Sequence, residues 1–363
     1  FLQLDTAYEE AEAIVKDIRR EKEETGREYS DFAVLYRTNA QSRLLEEKCI
    51  LYSIPYRLVG GVNFYQRKEI KDILCYLKTI ANGQDDLAVQ RIINVPKRGI
   101  GATSVGKVTI FASANGMSFY DALLRVRGIT TLGKAADKIG VFTEQIEDFK
   151  ARLPKMSIKE LIEEVLENTG YKKEIEAEGE IESETRLQNI EELINKAVSY
   201  SENEENPTLD GFLEEVALVA DVDNMDESEN RIVLMTLHSA KGLEFPYVYL
   251  SGLEDGLFPS SMSIMSDDKD AVEEERRLCY VGITRAREKL TLTMARQRMT
   301  NGETRYSRAS RFVEEIPAWL LEQEEQPSVF GRAAGRSWGG SPSASSSDRG
   351  FGEAASSGWG GAG

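Results

Sequence analysis

The chain contains 363 residues, of which 41% are hydrophobic, and its 45 basic and 62 acidic side chains give a net charge of −17. This length corresponds to two or three domains, and the apolar content excludes a wholly disordered chain. The acidic balance excludes a uniformly cationic surface for nucleic acids or membranes, although it is compatible with a local basic segment.

Residues 1–61 have the pattern of an α/β unit. An apolar stretch precedes a long helical pattern that stops at Gly26. DFAVLYR then predicts a strand, SRLLEEKCILYS a helix and PYRLVGG a second strand. Strand, helix and strand within about thirty residues indicate a βαβ unit, and therefore a parallel sheet.

Residues 62–228 change character, because helical patterns follow one another with almost no strand signal. We predict an all-α domain. Its last part, from Tyr200 to Asn230, holds eleven acids and no base, which is typical of a solvated face or loop. The predicted helices are 66–80, 85–93, 105–114, 139–153, 158–167, 184–199 and 209–219.

The α/β pattern resumes after Arg231. IVLMTL and YVYLSG are near-continuous apolar runs, as expected of strands buried on both faces. AVEEERRLCYVGITRARE predicts a charged helix, and KLTLTMA predicts a further strand.

These patterns predict one α/β domain, residues 1–61 and 229–322, with the all-α domain inserted at 62–228. The remaining residues, 323–363, are predicted to form a disordered tail. From Gly331 onward the chain has ten glycines and eight serines in 33 residues. Such a segment cannot bury enough apolar surface to offset the entropy of ordering it.

The number of cysteines and histidines and the lengths of the apolar runs exclude several classes of protein. The three isolated cysteines form neither a disulfide framework nor a zinc knuckle, which favours the reducing cytoplasm. The single histidine, His238, excludes most histidine-based catalysis. No apolar run approaches the roughly 18 residues of a membrane span. Because the first residue is Phe1 rather than Met, we expect a piece of a longer protein.

A phosphate cradle is the first candidate site. GATSVGKV, from Gly101, nearly matches a P-loop, but Val108 stands where a hydroxyl group must hold magnesium. Pro96 also interrupts the buried strand that should precede such a loop. The sequence therefore predicts that this chain has no nucleotide cradle of its own.

The same segment, residues 91–110, fits a helix-hairpin-helix better. Gly99 and Gly101 permit the backbone geometry that directs amides outward, where a helix N-terminus can bind a DNA phosphate. The segment has four bases, including Lys97 and Arg98, and no acid. Such a module contacts the duplex backbone without reading its sequence. The alternative is a helical hairpin with ordinary glycines.

A polar cluster of His238, Ser239, Lys241 and Glu244 follows the strand IVLMTL, at the strand end where α/β folds place ligands. His238 can donate to a phosphate, and Glu244 can accept from a ribose hydroxyl group. The alternative is an ordinary polar turn.

Arg285 shares a helical stripe with Leu278, Val281 and Gly282. The stripe directs Arg285 along a packed face, which is the geometry of an arginine finger that stabilises charge on a transferred phosphoryl group. The alternative is a cation that suits a helix C-terminus.

Two further groups of donors stand out. Arg37, Thr38 and Asn39 end a predicted strand and precede a helix start, where they supply donors or simply cap the helix. Residues 296–311 hold five arginines and one acid.

Six segments resemble, in chain order, the C-terminal half of UvrD/PcrA-type superfamily 1 DNA helicases, and the resemblance extends over roughly residues 1–320. They are VLYRTNAQSRLLEE, PYRLVGGVNFYQRKEIKDILCYLK, PKRGIG, TLHSAKGLEFPYVYL, DGLFPSSMS and EEERRLCYVGITRAREKL. The resemblance implies a RecA-like motor domain, interrupted by an all-α accessory domain, of an ATP-dependent 3′-to-5′ DNA helicase. It also implies that ATP and Mg²⁺ are bound mainly by an N-terminal RecA-like half that this chain lacks.

The resemblance assigns roles to single residues. Arg285 would contact the γ-phosphate, with Gly242 and Glu244 beside the nucleotide. The residues along single-stranded DNA would be Arg37, Thr38, Asn39, His238, Ser239, Phe258 and Ser260. The duplex contacts would be Lys97, Arg98, Gly99 and Gly101, and no metal ligand is expected.

The sequence departs from the family at Asn301, where relatives often have an aromatic residue that stacks on a base, and Tyr306 is a candidate substitute. A second hypothesis is a non-catalytic module that binds DNA or, through its tail, a protein partner. That hypothesis gives no reason for the cluster at His238 or for the stripe at Arg285.

Overall fold

The computed structural model describes residues 1–222, 230–268, 270–322 and 324–325. The predicted tail at 323–363 lies outside the described residues, apart from 324–325, as does part of the acidic run after Tyr200. Among the helices in the described ranges, none combines the length and apolarity that a membrane crossing requires.

One sheet organises the α/β part of the chain. Its strands are β1 (Leu2–Thr6), β2 (Phe32–Tyr36), β3 (Tyr56–Val59), β4 (Ile232–Thr236), β5 (Phe245–Leu250), β6 (Ala286–Thr300), β7 (Glu303–Tyr306) and β8 (Glu324–Glu325). They lie in the order β3-β4-β2-β5-β6-β1-β8, and all these neighbours pair in parallel. β7 pairs antiparallel with β6.

The helices fall into two groups. Those of the α/β part are α1 (Ala7–Thr25), α2 (Ser42–Leu51), α12 (Ser261–Met265), α13 (Ala271–Ile283) and α14 (Arg311–Glu314). Those between β3 and β4 are α3 (Lys68–Ala81), α4 (Asp86–Ile92), α5 (Ala102–Asn115), α6 (Phe119–Leu124), α7 (Ala135–Arg152), α8 (Ile158–Thr169), α9 (Tyr171–Glu176), α10 (Glu180–Asn203) and α11 (Leu209–Val222).

The parallel sheet with a helical insertion confirms the predicted fold class. Among the described residues, no strand lies between β3 and β4. The sequence did not predict α6 and α9, because six residues each are too few for a helical period to show. The domain boundaries at 61, 228 and 322 stay predictions.

Side chains of β2 alternate between two cores, because successive residues of a strand point to opposite faces. Phe32, Val34 and Tyr36 pack in a cluster with α1 and α2. Ala33 and Leu35 pack on the other face, in a cluster with α13 and α14. All five residues of β2 are buried, as expected for a central parallel strand.

The helical insertion has a separate buried cluster, which runs from α3 to α11 and shares no residue with the two sheet clusters. Its contact with the α/β part is strongly polar. Arg43 of α2 is 2% exposed and forms ion pairs of 3.1 Å with Glu47 and 3.0 Å with Glu192 of α10. Lys196 of α10 also lies 3.6 Å from Glu47.

The end of the charged helix differs from the prediction. The helical pattern was expected to continue to Glu288, but α13 ends at Ile283 and β6 begins at Ala286. The strand is longer than predicted because it pairs with β5, β1 and β7 along different parts of its length. Asn301 and Gly302 form the turn to β7 with φ of 53° and 72°, a left-handed conformation that Asn-Gly pairs favour in hairpins.

Helix α13 approaches the sheet closely at Gly282. A Cβ atom at this position would overlap Cδ2 of Leu237 and lie 3.5 Å from the methyl groups of Leu250. The missing side chain therefore sets the distance between α13 and the ends of β4 and β5.

Gly282→Ala should destabilise the chain by about 1–3 kcal/mol, because the added methyl group overpacks a filled core. Gly140→Ala is the matched control, since α7 has open space at that position and alanine is the better helix former. Urea unfolding followed by circular dichroism measures both midpoints. Equal midpoints for Gly282→Ala and the unsubstituted chain would contradict the prediction.

Candidate functional site

The carboxyl ends of β2, β4 and β5 meet at one edge of the sheet, because the three strands are parallel neighbours. The turn from β4 to β5, residues 237–244, carries the predicted polar cluster. The turn after β2 begins at Arg37. Two groups that are far apart in sequence therefore lie at one edge.

Arg37 forms a bidentate ion pair with Glu275 of α13. Arg37 Nε lies 2.9 Å from Glu275 Oε2, and Nη2 lies 2.6 Å from Oε1. Glu275 is 6% exposed. The sequence did not single out this carboxylate, because no local pattern relates it to Arg37.

His238 is exposed and lies within electrostatic range of this pair. Partial burial of the ring, and then the charge of Arg37, lower the pKa of His238 below its ordinary value, while Glu275 acts in the opposite direction. The ring is therefore neutral at pH 7 and offers one N–H donor and one acceptor.

The main chain after β2 is held by two side chains. Gln41 Oε1 accepts hydrogen bonds of 2.9 Å from the N–H groups of Arg37 and Thr38. Arg67 Nη1 donates to the carbonyl oxygen of Asn39 at 3.2 Å. In the neighbouring turn, Ser239 Oγ lies 3.1 Å from the hydroxyl of Thr236 in β4. These contacts fix the main chain at this edge before any ligand binds. Thr38 and Asn39 are half-buried there.

Arg285 lies between α13 and β6, at the amino end of β5, where two carbonyl oxygens fix its guanidinium group. Nη1 donates to the carbonyl oxygen of Leu243 at 2.9 Å, and Nε donates to that of Val281 at 3.0 Å. The exposed carboxylate of Glu244 pairs with Arg287 Nε at 3.1 Å. The structure thus brings Arg285 and the turn at 237–244 together.

The surface around Arg285 is open and partly apolar. Gly242 is exposed with φ of 83°, and no atom lies within 4 Å of a Cβ built there. Leu243 and Tyr280 are 40% and 68% exposed. A glycine, an arginine and an exposed carboxylate suit a phosphate and a sugar hydroxyl group. Among the described residues, no cluster of His, Cys, Asp or Glu could hold a metal ion.

The expected contact of Phe258 with DNA is wrong for its side chain. Phe258 is 0% exposed and packs edge-on against Phe312, with ring centroids 5.5 Å apart. A side chain without exposed surface cannot lie along a DNA strand, so Phe258 anchors its loop instead. Ser260 is half-buried and caps α12 by accepting a 3.1 Å hydrogen bond from Ser263 N.

The hairpin between α4 and α5 is shaped by internal hydrogen bonds. Asn94 Oδ1 accepts from the N–H groups of Arg98 at 2.8 Å and Ile100 at 3.1 Å. Gly99 adopts a left-handed φ of 70°, and Gly101 caps α5 without a side-chain bond.

The predicted cations of this hairpin have different environments. The guanidinium group of Arg98 turns inward, where it donates to the carbonyl oxygen of Val95 at 3.0 Å and to Tyr76 Oη at 2.6 Å. Lys97 is exposed. Lys138 of α7, which the sequence did not indicate, places Nζ 3.3 Å from the carbonyl oxygen of Gly99. The outward charge of the hairpin therefore comes from the two lysines.

A cleft of about 730 Å³ lies between the N-terminal ends of α1 and α2, helix α10 and the β6–β7 hairpin. Its lining includes Thr38, Arg305 and Tyr306. Tyr306 is 83% exposed. The cleft thus continues the polar edge of the sheet and ends beside an accessible aromatic ring.

The family model of the UvrD-like helicase C-terminal domain matches residues 1–297. The ATP-dependent DNA helicase PcrA of Bacillus subtilis (strain 168) is 45% identical over 324 residues, which are 88% of this chain and 44% of that protein. PcrA of Staphylococcus epidermidis (strain RP62A) is 47% identical over 319 residues, 87% of this chain and 44% of that protein. PcrA of Staphylococcus aureus (strain Mu50) is 46% identical over 319 residues, 87% of this chain and 43% of that protein.

The chain spans less than half the length of these relatives. The family match extends from β1 into β6 and therefore covers both the sheet edge and the helical insertion. The parallel sheet is that of a RecA-like domain. The chain belongs to the UvrD-like helicase C-terminal domain family.

Proposed function

We propose that the chain is the C-terminal motor portion of an ATP-dependent 3′-to-5′ DNA helicase. The observation that supports this most strongly is the turn at 237–244. At one end His238 lies near Arg37, and at the other Leu243 accepts a hydrogen bond from Arg285. One turn therefore joins a group suited to DNA phosphates and a group suited to a nucleotide.

On the nucleotide side, a second RecA-like lobe holds ATP and Mg²⁺, which supply the phosphoryl group and its metal. Arg285 exchanges the carbonyl oxygens of Leu243 and Val281 for a phosphate oxygen, since a charged acceptor forms the stronger hydrogen bond. Glu244 accepts from the ribose. The exposed side chains of Leu243 and Tyr280 are covered by the second lobe.

On the DNA side, Arg37, Asn39 and the neutral His238 donate to the phosphates of one strand. Contacts of this kind position a strand without reading its sequence. Movement results when the two lobes close and open, because the contacts to the strand differ between the two states. The cleft at Tyr306 accepts an unstacked base.

On the duplex side, the hairpin at 94–101 contacts the backbone through Lys97, Lys138 and the amides at Gly99 and Gly101. We place the protein in the cytoplasm, where cysteine side chains stay reduced. A protein partner bound through the tail stays a prediction, because the tail lies outside the described residues.

Arg285→Ala, in a protein that combines this chain with the nucleotide-holding lobe, should lower ATP turnover by about 10³–10⁵-fold, as for other arginine fingers. Arg277→Ala is the matched control. Its side chain is 66% exposed on α13 and, among the residues that the structure describes, pairs with Glu274 alone, so turnover should stay within about twofold. DNA-stimulated phosphate release measures both.

A loss smaller than about tenfold for Arg285→Ala would remove Arg285 from this role. Steady ATP turnover by the 363-residue chain alone would contradict the proposal that the cradle lies in another lobe.

Lys97→Ala and Lys138→Ala should each weaken the salt dependence of duplex binding. The slope of log affinity against log salt concentration should fall in magnitude by about one, because one phosphate contact is lost. Arg98→Ala should leave the slope unchanged and lower the thermal midpoint, because the hydrogen bonds from its guanidinium group to the carbonyl oxygens of Ile92 and Val95 are lost. Fluorescence anisotropy over a NaCl series gives the slopes. Unchanged slopes for both lysine variants would exclude the hairpin as the duplex contact.

Tyr306→Ala should weaken binding of single-stranded DNA by about 1–3 kcal/mol, the usual contribution of one base stacked on an aromatic ring. Tyr306→Phe keeps the ring and should bind like the unsubstituted chain. Titration of a labelled oligodeoxythymidine measures the difference. If the two variants bind equally, the ring has no stacking role.

A further inference from the structure

The guanidinium group of Arg37 uses only part of its hydrogen-bonding capacity inside the protein. Nε and Nη2 donate to the carboxylate of Glu275, at 2.6–3.1 Å. Nη1 makes no hydrogen bond within the described part of the chain. Because the donors of arginine are held in a rigid planar fork, fixing one side of the fork fixes the direction of the other.

Glu275 is well placed to impose that direction. It is 6% exposed in the second turn of α13, and Ser263 Oγ lies 3.4 Å from its Oε1. The helix that carries it is packed against the sheet through Cys279, which is 4% exposed, and through Gly282. The carboxylate is therefore a fixed point, and Arg37, whose side chain is 24% exposed, is oriented by it.

We propose that Glu275 is a positioning residue for DNA binding, which holds Arg37 so that Nη1 faces a phosphate of the strand. This inference rests on the proposed function and deepens it. A carboxylate near DNA repels phosphates, so on charge alone its removal strengthens binding. If Glu275 positions Arg37, its removal weakens DNA binding instead, because the guanidinium group of Arg37 is then free to turn away from the phosphate.

The test is binding of a labelled oligodeoxythymidine to the 363-residue chain at low salt, measured by anisotropy. Glu275→Gln should weaken binding about tenfold, which is the lower end of the range expected when one hydrogen bond to a charged group is lost. Glu274→Gln is the matched control, because it removes the same charge from the preceding position of α13, where the side chain is 69% exposed. The control should bind equally or more tightly.

A double substitution separates positioning from a general effect on the fold. In the Arg37→Ala background, Glu275→Gln should cause no further loss of affinity, because there is no fork left to orient. Glu275→Asp provides a second variant that keeps the charge and shortens the reach. It should also weaken binding, and unchanged affinity for Glu275→Asp would overturn the inference.

The outcomes distinguish the inference from the function on which it rests. If the unsubstituted chain does not bind the oligonucleotide, or if Arg37→Ala binds as tightly, the proposed DNA role of this edge fails and the inference fails with it. If Arg37→Ala weakens binding while Glu275→Gln leaves it unchanged or strengthens it, the inference alone fails.

Discussion

The close packing of α13 against the sheet is the contact on which both candidate groups depend. Gly282 lets the helix approach Leu237 and Leu250 without a side chain between them. The early part of the same helix holds Glu275 against Arg37, and Arg285 follows its last turn. A shift of this one helix would therefore displace Arg37 and Arg285 together, which gives a physical connection between the two ends of the turn at 237–244.

The helical insertion meets the α/β part mainly through charge. The insertion has one buried apolar cluster and the α/β part has two, whereas the contact between the parts includes Arg43, Glu192 and Lys196. Buried pairs of this kind add little net stability, because desolvation offsets much of their attraction, but they specify how surfaces meet. The turn of the β6–β7 hairpin adds neutral hydrogen bonds, since Asn195 Oδ1 accepts from Gly302 N at 2.8 Å.

Much of the fold follows from local pattern. The apolar runs at 232–237 and 247–252 predicted buried strands, and the structure has β4 and β5 there, because strands covered on both faces must be apolar throughout. The β6–β7 hairpin was not predicted, although its Asn-Gly pair is a local hairpin signal. Basic residues occupy much of this segment, and charge obscures the alternation by which a strand is recognised.

The sequence by itself determined the family, the parallel sheet with its insertion, and the segments that carry the polar edge, since these depend on periodicity and residue order. Only the tertiary structure decided which way side chains point. Arg98 and Phe258 belong to motifs that suggest DNA contact, yet they turn to Tyr76 and Phe312 inside the protein. Conversely, Lys138 contacts Gly99 and Glu275 contacts Arg37, although the two members of each pair are far apart in the sequence. Side-chain direction is set by neighbours distant in sequence, and no local pattern records them.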